Sequence, residues 1–156
     1  MSSRITEPAT YRAIAQQVLK LEHYMAESSI EADLYHLIKL RASQINGCAY
    51  CMSMHTRDLL RTGEHIDRIA VLPAWREAPW FTEREQAALD LTEAITRLEN
   101  QQVPPEVFDR ARAVFSEQEL ADLTLGIATI NTWNRLAITW QAVPEPFTLP
   151  EPVHSA

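Results

Sequence analysis

The sequence predicts an all-α fold of about seven helices, and three observations carry that prediction. Apolar residues recur at helical spacing along the 156-residue chain, with none of the sustained alternation that marks a half-buried strand. Only three residues are glycine, too few for a fold built on many tight β-turns. Three Ser/Thr-x-x-Glu capping boxes, at Ser28–Glu31, Thr82–Glu85 and Ser116–Glu119, punctuate the chain as helix starts. The length suits one domain over residues 1–156, with a core from about 11 to 144 and an extended tail over 145–156.

A first helix is expected from Thr10 to about Glu27, with Ile14, Val18, Leu21 and Met25 on one face. The Ser28–Glu31 box should start a second over Ala32–Ile45, and Asn46 should cap a third from Gly47 to Arg61. Thr62-Gly63 has the form of a left-handed helix stop, before a short helix from Glu64 to Val71. The stretch from Leu72 to Phe81 is irregular, but its three aromatic residues argue that it lies on the body of the protein. Thr82 and Glu85 open a helix to about Glu99. Pro104-Pro105 begins the next, since the first turn of a helix tolerates a missing N–H. Ser116 and Glu119 precede the last, Leu120–Trp140, and Pro144, Pro146, Pro150 and Pro152 end regular structure.

Fourteen Lys and Arg against twenty-one Asp and Glu give a net charge of −7, which argues against nucleic-acid and anionic-membrane partners. No apolar run reaches the roughly 18 to 20 residues of a membrane span, and the first residues carry no hydrophobic leader. A cytoplasmic location is the expectation. Apolar residues on more than one face of Ala32–Ile45 suggest a subunit interface, hence a homo-oligomer.

The only cysteines, Cys48 and Cys51, lie three apart in Asn46-Gly47-Cys48-Ala49-Tyr50-Cys51. At about 100° per residue, Cys48, Cys51 and His55 fall within roughly a 60° arc of one helix face. A thiolate near a helix N-terminus, a second thiol one turn away and an imidazole beyond it are the parts of thiol–disulfide chemistry. The same residues could be small core side chains or part of a metal site. A closed zinc site wants four ligands, however, and no second CxxC exists. No metal and no other cofactor is expected.

The run Leu37-Ile38-Lys39-Leu40-Arg41-Ala42-Ser43-Gln44-Ile45-Asn46-Gly47-Cys48-Ala49-Tyr50-Cys51, followed by Met54-His55-Thr56, closely resembles the core motif of the AhpD-like alkylhydroperoxidases of the carboxymuconolactone decarboxylase superfamily. Leu72–Pro79 and Ile130–Ala137 also resemble the subgroup carrying this core, so the likeness runs from about Tyr11 to Pro144. It implies an all-α fold assembled as trimers or hexamers, and a thiol-dependent peroxidase or disulfide reductase. The partners implied are a small hydroperoxide and a thiol, dithiol or redox-protein reductant. A non-catalytic redox sensor and a decarboxylase of the superfamily's namesake type are the alternatives; the latter has no use for a CxxC.

Two positions depart from the family pattern. A glutamate twelve residues before the first cysteine is replaced by His36, and a histidine before the second cysteine by Tyr50. His36 can relay a proton but lacks a fixed negative charge, and neither Glu31 nor Asp33 is an obvious substitute. The catalytic set is therefore Cys48, Cys51, His55 and His36. The helix N-terminus favours thiolate at Cys48, whereas His55 favours it at Cys51. The second effect is larger and the resemblance agrees, which assigns attack to Cys51, resolution to Cys48 and the base to His55. His23 and His65 are expected as surface or capping residues, Trp75, Trp80 and Trp133 as core or interface anchors, Arg76 and Arg135 as partners of an acid across an interface or, less commonly, of a substrate carboxylate, and Asn131 and Asn134 as partners of buried polar groups.

Overall fold

The structure, a computed structural model, describes residues 3–146. Seven α-helices account for its regular structure: α1 (Pro8–Ala26), α2 (Ala32–Asn46), α3 (Ala49–Thr62), α4 (Ile66–Val71), α5 (Glu83–Arg97), α6 (Pro105–Val114) and α7 (Glu117–Trp140). Short 3₁₀ turns follow α4 (Leu72–Glu77) and α5 (Glu99–Gln101). No strand occurs among the described residues, as the glycine count and periodicity predict. The tail expected to be extended lies, beyond residue 146, outside the described residues.

Most helix signals work as expected. Thr82 and Ser116 form complete capping boxes with Glu85 and Glu119, and Gly63 closes α3 with φ 95°. His65 caps α4 by accepting from the Asp67 N–H at 3.4 Å. Two expectations are corrected. The Ser28–Glu31 box does not form, because the Ser28 hydroxyl donates back to the Met25 carbonyl at 2.8 Å and Glu31 caps α2 without a side-chain bond. Asn46 is not the cap of α3. It is the last residue of α2, Gly47 turns left-handed behind it at φ 70°, and Cys48 is the cap. The Cys48 N–H donates to the Ser43 carbonyl at 3.0 Å, so one glycine stop ends α2 and leads directly into α3.

Helix α2 runs through the centre, packed against α3, α5 and α7, with α1 on α7 and α6 on α5. This corrects the reason for expecting an interface there: the many-sided apolar surface of α2 is buried within the single chain. Five exposed apolar side chains lie on α1 instead, at Tyr11, Ile14, Leu19, Leu21 and Tyr24, while others such as Trp80 and Ile138 are scattered over the rest of the chain. Helices α2 and α7 approach so closely that a Cβ on Gly126 would lie 2.8 Å from the Tyr35 ring. The Asn46 amide donates to the side-chain oxygens of Asn131 (2.9 Å) and Asn134 (2.8 Å), and Asn134 donates to the Ser43 hydroxyl at 3.0 Å. This amide network joins the end of α2 to α7 beneath the cysteine corner.

The segment over Leu72–Phe81 lies on the body as predicted, with Trp75 and Phe81 buried and Trp80 exposed. The Trp75 indole N–H donates at 3.0 Å to Glu93, a buried carboxylate that also accepts from Arg41 (2.8 Å), Arg76 (3.1 Å) and Arg97 (2.8 Å). Arg76 therefore pairs within the chain, with Glu93 and Asp90, while Arg135 donates to the carbonyl and side chain of Asn131. Against the opposing effect of burial, hydrogen bonds from Arg97, Trp75 and Arg41 hold the Glu93 carboxyl at a pKa of about 2.

A depressed carboxyl pKa contributes stability that is complete above the ordinary value of 4.5 and is lost as pH falls towards 2. Replacing Glu93 by Gln leaves the buried Arg41 without a counter-charge, a cost of about 3–5 kcal/mol at pH 7. Urea unfolding at pH 7 and pH 2.5 should show that deficit at the higher pH and a smaller one at the lower. An equal deficit at both would mean that the carboxylate charge is not what stabilises this joint.

Candidate active site

Two residues separate α2 from α3, and this short corner carries Cys48 into the interior. Cys48 stands at the N-cap with extended backbone (φ −84°, ψ 94°), one residue outside the helical turn expected for it, and its sulfur accepts from the Cys51 N–H at 3.3 Å. The cap position leaves its side chain free to meet Cys51. The two sulfurs form a disulfide, with Cα atoms 5.4 Å apart. Both cysteines are buried, packed against Ala42 and Ile130.

One helical turn beyond Cys51, His55 is 1% exposed. Its Nδ1 lies 3.3 Å from Oδ2 of Asp58, one further turn along α3. His36 enters from α2, with Nδ1 3.8 Å from the same carboxylate oxygen and its ring centroid 5.9 Å from that of His55. The two histidines thus share Asp58. Asp58 also supplies the fixed negative charge that the replacement of glutamate by His36 seemed to remove. That charge comes from neither Glu31 nor Asp33 but from Asp58. The i, i+3 spacing from His55 was the available signal, because that spacing puts both side chains on one helix face.

Burial lowers the pKa of His55, opposed by its contact with Asp58, and burial lowers that of His36 against the attraction of Asp58. The contact with His55 holds the Asp58 carboxyl below its usual range against burial, with help from His36. At neutral pH the group is therefore a carboxylate beside two neutral imidazoles. Neutral His55 can receive a proton from a thiol, and Asp58 can stabilise the imidazolium that results. A neutral imidazole beside a carboxylate thus lowers the cost of deprotonating Cys51 by accepting its proton, where a pre-existing imidazolium would have lowered the thiol pKa directly.

Each sulfur has its own approach. A small pocket of about 30 Å³ beside Cys51 is walled by Tyr11, Tyr50, Met54, Trp133, Leu136 and Trp140. A cleft of about 250 Å³ reaches Cys48 between the start of α3 and the chain after α7, lined by Gly47, Tyr50, Ile138, Gln141 and Val143. Tyr50 borders both, and burial raises its pKa further, so it has no capacity as a base near neutrality. Tyr11 packs edge-on to Trp140 at 5.4 Å, joining α1 to the pocket wall. Behind this wall, Glu22 accepts from Lys39 (2.7 Å), Trp133 (2.9 Å) and Tyr35 (3.0 Å) and fixes the position of Trp133. A larger groove between α6 and α7, around Phe108, Leu120 and Leu125, is remote from these groups. His23 lies exposed on α1, apart from them.

A model of the carboxymuconolactone decarboxylase family matches residues 9–94. The uncharacterized protein YdfG of Bacillus subtilis is 42% identical over 142 residues, covering 88% of this chain and 94% of that protein. A crystal structure of an Agrobacterium tumefaciens protein of unknown function, described as a candidate antioxidant defence protein AhpD, is 36% identical. It superposes with a TM-score of 0.88 over 94% of this chain and all of that one. The debrominase Bmp8 shares the fold, with a TM-score of 0.74 at 20% identity over 88% of this chain and 74% of that one.

Asp58 should raise the pKa of His55 relative to a neutral neighbour. NMR titration of the ring protons is expected to place His55 below 6.5. In Asp58→Asn it should fall further, by roughly tenfold in acidity constant. An unchanged titration in the variant would show that the 3.3 Å contact carries no electrostatic coupling.

Proposed function

This chain belongs to the carboxymuconolactone decarboxylase family, and from that membership and its AhpD-like core motif we propose that it is a thiol-dependent antioxidant enzyme reducing organic or hydrogen peroxide. The observation that carries the reading is a buried, disulfide-forming Cys48–Cys51 pair one turn from a histidine that is itself paired with a carboxylate. In the reduced protein, Cys51 gives its proton to His55 and its thiolate attacks the peroxide O–O bond. Sulfur takes one oxygen as sulfenic acid, and the other leaves as alcohol or water with a proton from the imidazolium. Cys48 then attacks the sulfenic sulfur, expelling water and forming the disulfide. A thiol or dithiol donor, or a redox protein bearing one, returns both sulfurs to thiols, and the cleft at Cys48 supports its approach. His36 acts behind His55 through Asp58. The decarboxylase alternative leaves the cysteine pair without a task.

The same reading makes the protein a homo-oligomer, trimeric or hexameric as in its superfamily. The exposed apolar stripe of α1 supports this, because α1 packs chiefly on α7 and leaves Ile14, Leu21 and Tyr24 in solvent. Light scattering should return a multiple of 17.8 kDa; a monomer at micromolar concentration counts against it.

Peroxide consumption with dithiothreitol as donor should be catalytic in the wild type and absent in Cys51→Ser. Cys48→Ser should complete one turnover and stop at a sulfenic acid, detectable by dimedone and mass spectrometry. His55→Ala should lose about 10²–10⁴-fold in rate, the usual contribution of a positioned base. Oxidation once, without donor-dependent turnover, would identify a redox sensor and overturn the enzyme.

A further inference from the structure

The cluster of His36, His55 and Asp58 is more than a string of proton carriers. One ring nitrogen from each histidine and one carboxylate oxygen all lie within 4.8 Å of one another, contributed by two helices that pack side by side. Both ring nitrogens of His55 and Nδ1 of His36 are buried without a hydrogen-bond partner in the structure. His55 Nδ1 lies 3.3 Å from Asp58 Oδ2 without forming a well-aligned hydrogen bond. Buried polar atoms are nearly always satisfied, and each neutral imidazole has one nitrogen lone pair to offer, so two rings facing a single carboxylate make a donor set open to an occupant.

We propose that His36, His55 and Asp58 bind one divalent transition-metal ion of the zinc class, independently of the cysteine pair. Two imidazoles and a carboxylate are the borderline and hard donors that such ions favour, whereas Mg²⁺ and Ca²⁺ favour oxygen ligands. Zinc holds nitrogen at about 2.0–2.1 Å and carboxylate oxygen at about 2.0–2.2 Å, which sets tetrahedral donors roughly 3.3 Å apart. His55 and Asp58 already stand at 3.3 Å, and His36, a quarter exposed, stands 3.8 Å from the same oxygen. The neighbouring cations leave that oxygen available. Lys39 is neutralised by Glu22 at 2.7 Å, and Arg61 approaches the other Asp58 oxygen at 3.6 Å from solvent. Three protein donors leave a fourth position for water or an exogenous ligand. Bound metal would occupy a nitrogen of the base proposed above and so oppose thiol oxidation. That consequence rests on the proposed function, but the binding does not.

The test uses the full-length disulfide form, in which neither sulfur is a free thiolate. Zn²⁺ binding is measured by calorimetry, and the Co²⁺ adduct by its visible absorption. One ion per chain is expected, with affinity at least about tenfold weaker in His36→Gln and in Asp58→Asn. Both positions lie at the edge of the site, and far-UV circular dichroism should report unchanged helicity in each variant. His65→Ala, at the exposed His65–Asp67 pair, serves as control and should bind as the wild type does. Absence of stoichiometric binding, or affinity unchanged by both edge substitutions, would overturn the site. Equal weakening by His65→Ala would do the same by moving the ion to the surface. Loss of peroxide turnover, by contrast, has no bearing on any of these readings.

Discussion

The left-handed turn at Gly47 is the constraint on which the site depends. With φ at 70°, it ends α2 and allows α3 to begin two residues later, antiparallel enough to pack along α2. A residue with a β-carbon would be strained in that conformation, although nothing crowds the position. The turn makes Cys48 a helix cap, whose side chain leaves the α3 surface and meets Cys51. It also sets α3 beside α2 so that His36 faces His55 and Asp58. Sulfur chemistry and imidazole chemistry are thus held together by one backbone reversal, which the Asn46–Asn131–Asn134 amide network ties to α7.

Burial then decides the charge states. An imidazole withdrawn from water is disfavoured as a cation, and burial is the largest influence on both His36 and His55. Asp58 moderates that effect without reversing it. Where the resemblance implies a glutamate, α2 carries His36, and the negative charge in this neighbourhood is placed on α3 by Asp58. That placement also assembles the two-imidazole, one-carboxylate donor set that a metal ion would use.

The surrounding frame holds these groups through buried charge. Glu93 gathers three arginines and an indole from separate parts of the chain, and Glu22 gathers Lys39, Tyr35 and Trp133. Each carboxylate has nearly all of its lone pairs occupied, the condition under which a buried charge is tolerated. Glu22 holds the Trp133 wall of the Cys51 pocket, and the close approach of Gly126 to Tyr35 fixes the separation of α2 and α7 behind it. The aromatic walls exclude water from the sulfurs and give the pocket its apolar character.

By itself the sequence determined the helical class, the number of helices and the Cys48–Cys51–His55 line, because each follows from periods and caps a few residues long. It also carried Thr82, Ser116, Gly63 and Pro105 to their places, since a cap interacts with its own first or last turn. Only the tertiary structure decided what required two distant segments to meet. Ser28 was lost as a cap to a carbonyl on α1, and Asn46 became an anchor to α7 once Gly47 had taken the turn. Helix α2, apolar on several faces, proved to be the centre of one chain, because α3, α5 and α7 cover it from different sides. Asp58 lay in plain view three residues after His55, but its pairing with His36 depends on how two helices pack. Side-chain chemistry within one turn is written in the local sequence, whereas a charge shared between helices exists only after their faces have been brought together.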